Sequence, residues 1–330
     1  MKHLRFPAIA FAVLFVLFSA AACGGSASGK QAGFPVEVGG VSFSAAPKRV
    51  VSLSPSLTDT LGMLGFGARL VAVGEGCDSP AAAGLPACGT VFEPDLDQIL
   101  SLSPDLVLSA SRLSDESLRV LQQSGIQTLV LSRADSLDGI YDNWGALCRL
   151  FTGEARGAQL EEQLRYYGGV TLDYLSSAVS AAGAEGAGAV YLRRLPSTVA
   201  TGDSYEGRLL AGLGLRNPAG EDTGWAFHYE QEQAPDVDLI FCDASVPPVA
   251  FAESDLWKET AAVQNSRVFP LDGAAFERQS PALFAVFEEA MRAALPDGFV
   301  SPKPSVLLPL PEEPQEEPGW WEKLTAGFGK

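Results

Sequence analysis

The chain has 330 residues, enough for two domains of ordinary size. Its 23 basic and 40 acidic residues give a net charge of −17. Such an acidic chain is poorly suited to bind nucleic acid or anionic lipid, because both carry charge of the same sign.

The first 22 residues have the pattern of a secretory signal peptide. Lys2 and Arg5 precede an apolar run from Phe6 to Ala22, and small residues lead into Cys23. A membrane-spanning anchor is the alternative, although the run is near the lower length limit and the Gly/Ser-rich segment after it is not basic. The alanines before Cys23 resemble a bacterial lipobox. This resemblance implies a lipidated Cys23, a mature protein outside the cytoplasmic membrane and a flexible tether over residues 23–33.

Four cysteines follow Cys23, and an even number in an exported chain permits disulfides. Three pairings are possible. We predict a disulfide between Cys77 and Cys88, because it would close a short loop rich in proline and glycine. Cys148 and Cys242 are then explained as buried thiols.

Residues 34–153 alternate strands with helices and are predicted to form an N-terminal lobe. A small edge hairpin is expected around Gly39-Gly40. Strands are predicted at 50–53, 70–73, 104–111 and 127–131, with helices after Ser56 and at 95–102 and 115–124. This alternation is typical of a parallel sheet with helices on both faces.

One long helix is predicted over residues 154–182. The segment contains no proline, and its apolar residues recur every three to four positions. Gly168 and Gly169 lie in its middle and are expected to loosen it, at about 1 kcal/mol each relative to alanine. Because the segments on both sides are similar, we predict a stiff helix between two α/β lobes that face each other across a cleft.

Residues 183–300 repeat the alternation and are predicted to form a C-terminal lobe. Asp97 lies eight residues before Asp105, and Glu230 lies eight residues before Asp238. Each acidic residue is therefore expected early in the helix before an equivalent strand, although the helix dipole alone also favours acids there. Residues 301–330 are predicted to be a Pro-rich, acidic tail, extended and unpacked, with a short aromatic end that contacts either the membrane interface or the protein.

Three segments carry a family resemblance: PKRVVSLSPSLTDTLGMLGFG (47–67), GEGCDSPAAAGLPACG (74–89) and FEPDLDQILSLSPDLVLSAS (92–111). They resemble the class III periplasmic binding proteins, extracytoplasmic receptors for cobalamin, ferric siderophores and haem. The resemblance implies an α/β fold of two Rossmann-like lobes with central, mainly parallel sheets, joined by one long rigid helix, with the ligand cleft between the lobes. It also implies a monomer whose partners are an ABC permease dimer and its ATPase subunits, contacted through Asp97 and Glu230.

In doubly wound sheets, ligands lie beyond the carboxyl ends of the strands. Aromatic residues near these ends suit a large flat ligand, because rings offer apolar area at low entropy cost. Trp225 also resembles a ligand-stacking tryptophan of the cobalamin receptors, which lies in a loop just before a helix. The predicted ligand-binding residues are Ser54, Ser56, Cys77, Asp78, Phe92 and Arg112 in the first lobe and Asp203, Tyr205, Trp225, Phe227, His228, Asp243, Phe276 and Arg278 in the second.

His228 is the only histidine after the leader, and one histidine does not build a zinc site. It is interpreted as an axial ligand to a haem or corrinoid metal or as an ordinary loop residue. No resident cofactor or metal is predicted, since the metal would arrive within a chelate ligand.

Two motifs resemble parts of hydrolase sites, Gly202-Asp203-Ser204 and Asp222-Thr223-Gly224, but neither has the partner motif it needs, so an enzyme is not expected. The predicted function is the cobalamin or corrinoid receptor of an ABC importer. A ferric siderophore or haem receptor is the closest alternative. The further alternatives are a surface adhesin or sensor domain and an exported hydrolase.

Overall fold

The computed structural model describes residues 31–230 and 235–309. The predicted signal peptide, Cys23, most of the tether and the tail from residue 310 lie outside the described residues. Within the described ranges, no helix combines the length and the apolar character needed to cross a membrane.

The first lobe begins with an antiparallel hairpin of β1 (Val36–Val38) and β2 (Val41–Phe43), which turn at Gly39-Gly40 as predicted. Its main sheet is parallel, in the order β4-β3-β5-β6. These strands are β3 (Val50–Ser52), β4 (Leu70–Val73), β5 (Leu106–Ser109) and β6 (Gln127–Val130). The helices are α1 (Pro55–Met63), α2 (Leu96–Ser101) and α3 (Asp115–Gln123).

Two antiparallel helices connect the lobes. The predicted long helix is α5 (Glu154–Ala181), which is continuous over 28 residues. It is preceded by α4 (Leu137–Thr152), which the sequence did not reveal. The helix continues through Gly168 and Gly169, and Gly168 has a packing role that the sequence did not predict. A Cβ at this position would lie 2.6 Å from Cζ of Tyr141 on α4, so glycine here lets the two helices approach closely.

The second lobe has a five-stranded sheet in the order β11-β10-β7-β8-β9. The strands β7 (Ala189–Arg194), β10 (Leu239–Asp243) and β11 (Val268–Leu271) pair in parallel. Strand β8 (Thr198–Ala200) pairs antiparallel with both β7 and β9 (Ala226–His228). The helices are α6 (Tyr205–Gly212), α7 (Val249–Ala252), α8 (Ala261–Gln264), α9 (Gly273–Glu277) and α10 (Ala282–Ala294).

One buried apolar cluster runs through both lobes. It extends from Leu108 in the first sheet, through Leu164 and Leu175 of α5, to Phe241 in the second sheet. Because the connecting helix shares this core with each lobe, it is anchored at both ends. The predicted fold class, two α/β lobes with mainly parallel sheets and one long connecting helix, is confirmed.

The first residues of the tail correct one expectation. Residues 301–309 have no helix or strand, as predicted, but they are not unpacked. The hydroxyl of Tyr174 donates to the Ser301 carbonyl at 3.2 Å, and Lys303 pairs with the buried Glu288 of α10. The Lys303 contact compensates the charge of Glu288, because a buried carboxylate needs cationic partners.

Candidate functional site

A cavity of about 190 Å³ lies between the two lobes, beyond the carboxyl ends of β5 and β6. Helix α4 forms one wall, and the segment after α9 closes the opposite side. The lining residues are Ser56, Leu57, Thr60, Ala110, Leu131, Ser132, Arg133, Ile140, Asn143, Trp144, Leu147, Glu277 and Gln279. Since both lobes contribute, this cavity is the predicted interlobe cleft.

Gln279 forms the floor of the cleft. Its side-chain amide exchanges two hydrogen bonds with the backbone of Ala134, at 2.9 and 2.7 Å, and its carbonyl accepts from the indole nitrogen of Trp144 at 2.8 Å. The Gln279 backbone has a φ of +57°, a region that side-chain-bearing residues seldom adopt. These contacts therefore hold a strained backbone and join the second lobe to the first.

Arg133 follows β6 and reaches from the first lobe into the second. Its Nη2 donates to Oε1 of Glu206 at 2.6 Å, and its Nη1 donates to the carbonyl oxygen of Glu277 at 2.8 Å. The side chain of Glu206 is fully buried, and its other oxygen accepts from Arg193 at 2.6 Å. Burial raises the pKa of Glu206, while the two guanidinium groups oppose this increase. One buried carboxylate thus links two arginines, one from each lobe.

Arg278 makes the reverse connection, from the second lobe to the first. Its guanidinium lies 3.5 Å from Asp59 and 2.6 Å from Asp78. The Ser56 hydroxyl donates to the Arg278 carbonyl. The structure therefore brings together three predicted site residues, Ser56, Asp78 and Arg278, at one side of the cleft.

Trp225 lies half-buried next to Arg133, whose guanidinium carbon is 5.6 Å from the centre of an indole ring. Its backbone has a φ of +69° and is held by Asp203, which accepts the N–H of Gly224 at 2.7 Å and that of Trp225 at 3.0 Å. A hydrogen bond from Thr201, together with these amides, lowers the pKa of Asp203. Asp203 thus positions Trp225. The residue after Trp225 begins β9 and not the expected helix.

Four predicted ligand residues do not line this cavity. Tyr205 and Phe276 are 0% and 1% exposed, because the first turn of α6 and the end of α9 face the lobe's own core. Phe92 points into solvent, and Arg112 pairs with Asp115 on the surface at 2.7 Å. The prediction that Tyr205 and Phe276 offer their side chains to a ligand is wrong, whereas for Phe92 and Arg112 ligand binding stays a prediction.

The remaining predicted residues stabilise local structure. Ser54 caps α1, and Asp243 accepts the Gly273 N–H at 2.9 Å. Phe227 packs edge-on against a neighbouring tyrosine. His228 is exposed on β9, with a ring nitrogen 2.9 Å from the Ser197 hydroxyl. Residues 31–230 and 235–309 contain no group of three or more His, Cys, Asp or Glu side chains arranged to hold a metal ion.

The predicted disulfide is wrong, since Cys77 and Cys88 are free thiols. The two residues contact opposite faces of the first sheet. Cys77 packs beside the buried apolar cluster that contains Val50, and Cys88 lies in a separate buried apolar cluster that contains Val51. Val50 and Val51 are neighbours in β3, so their side chains point to opposite faces of the sheet. Burial raises the pKa of both thiols. Cys148 and Cys242 are buried as predicted, with burial raising their pKa values to about 12 and about 11.

The two predicted permease-contact residues are both exposed. Asp97 lies in the first turn of α2, as expected. Glu230 follows β9 and is not in a helix, so that part of the prediction is wrong. Glu230 borders a second cavity of about 450 Å³ together with His228 and Asp255.

Sequence reasoning missed Arg133, Trp144, Glu206 and Gln279. Arg133 could have been found, since it stands at the carboxyl end of β6, where the same rule identified other residues. Glu206 gave no such signal, because its partner Arg133 is 73 positions away and belongs to the other lobe.

The sequence profile of the periplasmic binding protein family matches residues 50–275. Over 308 residues the chain is 26% identical to the uncharacterized ABC transporter substrate-binding lipoprotein YvrC of Bacillus subtilis, covering 87% of this chain and 96% of that one. Over 107 residues it is 38% identical to a vitamin B12-binding protein of Vibrio vulnificus, covering 31% of this chain and 38% of that one. The crystal structure of the periplasmic haem-binding protein HutB of Vibrio cholerae matches with a TM-score of 0.61 at 19% identity, over 74% of this chain and 97% of that one.

The profile match covers more than half of the chain, and the HutB match shows the same two-lobed fold. Solute binding between lobes agrees with the cleft geometry and needs no catalytic group. The chain therefore belongs to the periplasmic binding protein family and is a solute-binding protein, not an enzyme.

Proposed function

We propose that this protein is the receptor of an ABC importer for cobalamin or a related corrinoid. It acts as a monomer outside the cytoplasmic membrane, attached through lipid on Cys23, and delivers its ligand to a permease dimer with ATPase subunits. The observation that carries the proposal is the interlobe cleft, with Trp225 held by Asp203 beside the lining residue Arg133. The similarity to a vitamin B12-binding protein over 107 residues favours the corrinoid.

A haem or ferric siderophore is the second candidate. The guanidinium groups of Arg133 and Arg278 at the cleft favour it, because arginine pairs well with ligand carboxylates. The structural match to a haem-binding protein is in line with this candidate.

Tryptophan fluorescence titration with cyanocobalamin, haemin and a panel of ferric siderophores tests the proposal. We expect saturable binding of cyanocobalamin. Tighter binding of haemin or a siderophore would support the second candidate, and no saturable response to any of them would reject the metal-chelate class.

Trp225→Ala is expected to weaken binding of the preferred ligand by about 1–3 kcal/mol, because a stacking ring is lost. Isothermal titration calorimetry is the measurement, since the variant removes a fluorophore. Tyr166→Ala is the matched control, because Tyr166 is an exposed aromatic residue on α5 away from the cleft. Equal affinity in the two variants would exclude ligand stacking on Trp225.

Asp97→Lys and Glu230→Lys are expected to leave ligand affinity unchanged and to abolish uptake. Both side chains are exposed, so charge reversal disturbs a partner contact and not the fold. Ligand accumulation by cells is compared with that of cells carrying Glu116→Lys, an exposed acid in the first turn of α3. Normal uptake by both variants would contradict a permease contact at these residues.

A further inference from the structure

The guanidinium group of Arg133 contacts the second lobe through both ring faces and hydrogen-bond acceptors. It lies between two aromatic rings, 5.5 Å from the centre of Tyr205 and 5.6 Å from that of Trp225. Its two terminal nitrogens donate to Glu206 and to the Glu277 carbonyl, at 2.6 and 2.8 Å. Ring faces attract the flat cation, and two oxygen acceptors match its forked donors. A lysine ammonium would not fill this geometry equally well.

The groups around Arg133 are held in place by the second lobe itself. Glu206 is paired with Arg193 at 2.6 Å, so its buried charge has a partner even without Arg133. Trp225 is fixed by Asp203, and the Tyr205 hydroxyl donates to a backbone carbonyl of its own lobe. None of these contacts comes from the first lobe. The binding site is therefore built independently of its occupant.

We propose that Tyr205, Glu206, Trp225 and the Glu277 carbonyl form a guanidinium-binding socket, and that Arg133 is its intramolecular ligand. Insertion of Arg133 then sets the separation of the two lobes. The cleft volume of about 190 Å³ is below the roughly 300–1,000 Å³ of typical small-molecule sites. A large chelate therefore enters the cleft only after Arg133 leaves the socket. This inference about ligand entry rests on the proposed function, whereas the existence of the socket does not.

The opposite connection, through Arg278, contributes less. Its closer partner Asp78 has a side chain that is 73% exposed, so water screens the ion pair. Arg133 instead contacts a carboxylate that is 0% exposed. Water screens an ion pair to a buried carboxylate less, so Arg133 makes the stronger of these two charged contacts across the cleft.

Arg133→Ala tests the socket directly. Because Arg193 still neutralises Glu206, the variant is expected to fold, and methylguanidinium then has an open site. We expect saturable methylguanidinium binding by calorimetry, at least about tenfold tighter than binding of methylammonium. Arg119→Ala, which removes an exposed first-lobe arginine, should show no such binding because Arg133 still fills the socket. Equal, non-saturable responses in both variants would overturn the socket.

The lobe separation is measured by pulsed electron paramagnetic resonance between two spin labels. Glu116 and Glu259, which are exposed on opposite lobes, are each replaced by p-acetylphenylalanine, and the labels are attached there. Arg133→Ala is expected to shift the distances to longer and broader values than those of Arg119→Ala. Unchanged distances would overturn the role of Arg133 in setting the separation. Arg133→Met keeps the aliphatic stem and serves for both measurements if the alanine variant does not fold. Neither readout requires the transported ligand, so failure here is distinguishable from failure of the proposed function.

Discussion

Glu206→Met is expected to lower the free energy of unfolding by about 3 kcal/mol, because it leaves Arg133 and Arg193 without their shared carboxylate. Removing one partner of a buried ion pair costs about 3–5 kcal/mol. The lower value applies here, since the arginine side chains keep 31% and 16% of their surface exposed and retain some hydration. Methionine fills a similar volume, so a packing defect is not the cause.

Urea unfolding of the purified variant measures this loss, and thermal unfolding should show a midpoint lower by about 5 °C, because the entropy of unfolding grows with chain length. Glu289→Met on α10 is the control, because Glu289 is exposed and its replacement should change stability by less than about 0.5 kcal/mol. A loss no greater than that of the control would show that Glu206 does not hold the two arginines.

Gly168→Ala is also expected to cost about 3 kcal/mol, at the upper end of the range for overpacking a core. The added Cβ would lie 2.6 Å from Cζ of Tyr141 and 2.8 Å from Cζ of Phe284. Both rings are buried, at 6% and 1% exposure, so neither side chain can move aside easily. The helices α4 and α5 would have to separate, which weakens the connection between the lobes.

Gly169→Ala is the matched control, since a Cβ there meets no atom within 4 Å. It should stabilise the protein by about 1 kcal/mol through helix propensity alone. Urea unfolding compares both variants with the parent chain. The atom nearest to a Cβ at Gly168 is the Tyr141 hydroxyl oxygen, which is buried without a hydrogen-bond partner. Tyr141→Phe removes this oxygen and should recover part of the loss caused by Gly168→Ala. A neutral Gly168→Ala would contradict the close packing of α4 and α5.

Sequence patterns predicted the alternation of strands and helices and the long helix α5. Apolar periodicity, turn residues and the absence of proline are properties of neighbouring residues, so they are readable without a structure. Helix α4 was not predicted from the sequence, because much of it consists of residues with modest helix propensity, including Gly139 and Gly145. Its stability comes from packing against α5, which no local pattern records.

For the site, the sequence by itself determined which residues stand near the strand ends, including Ser56, Asp78, Trp225 and Arg278. Only the tertiary structure decided that Tyr205 and Phe276 turn into the core while Trp225 meets Arg133. It also separated Cys77 from Cys88 on two faces of one sheet. The physical reason is range: periodicity and turn chemistry act between neighbours, whereas the pairing of Arg133 with Glu206 depends on how two lobes pack around one helix.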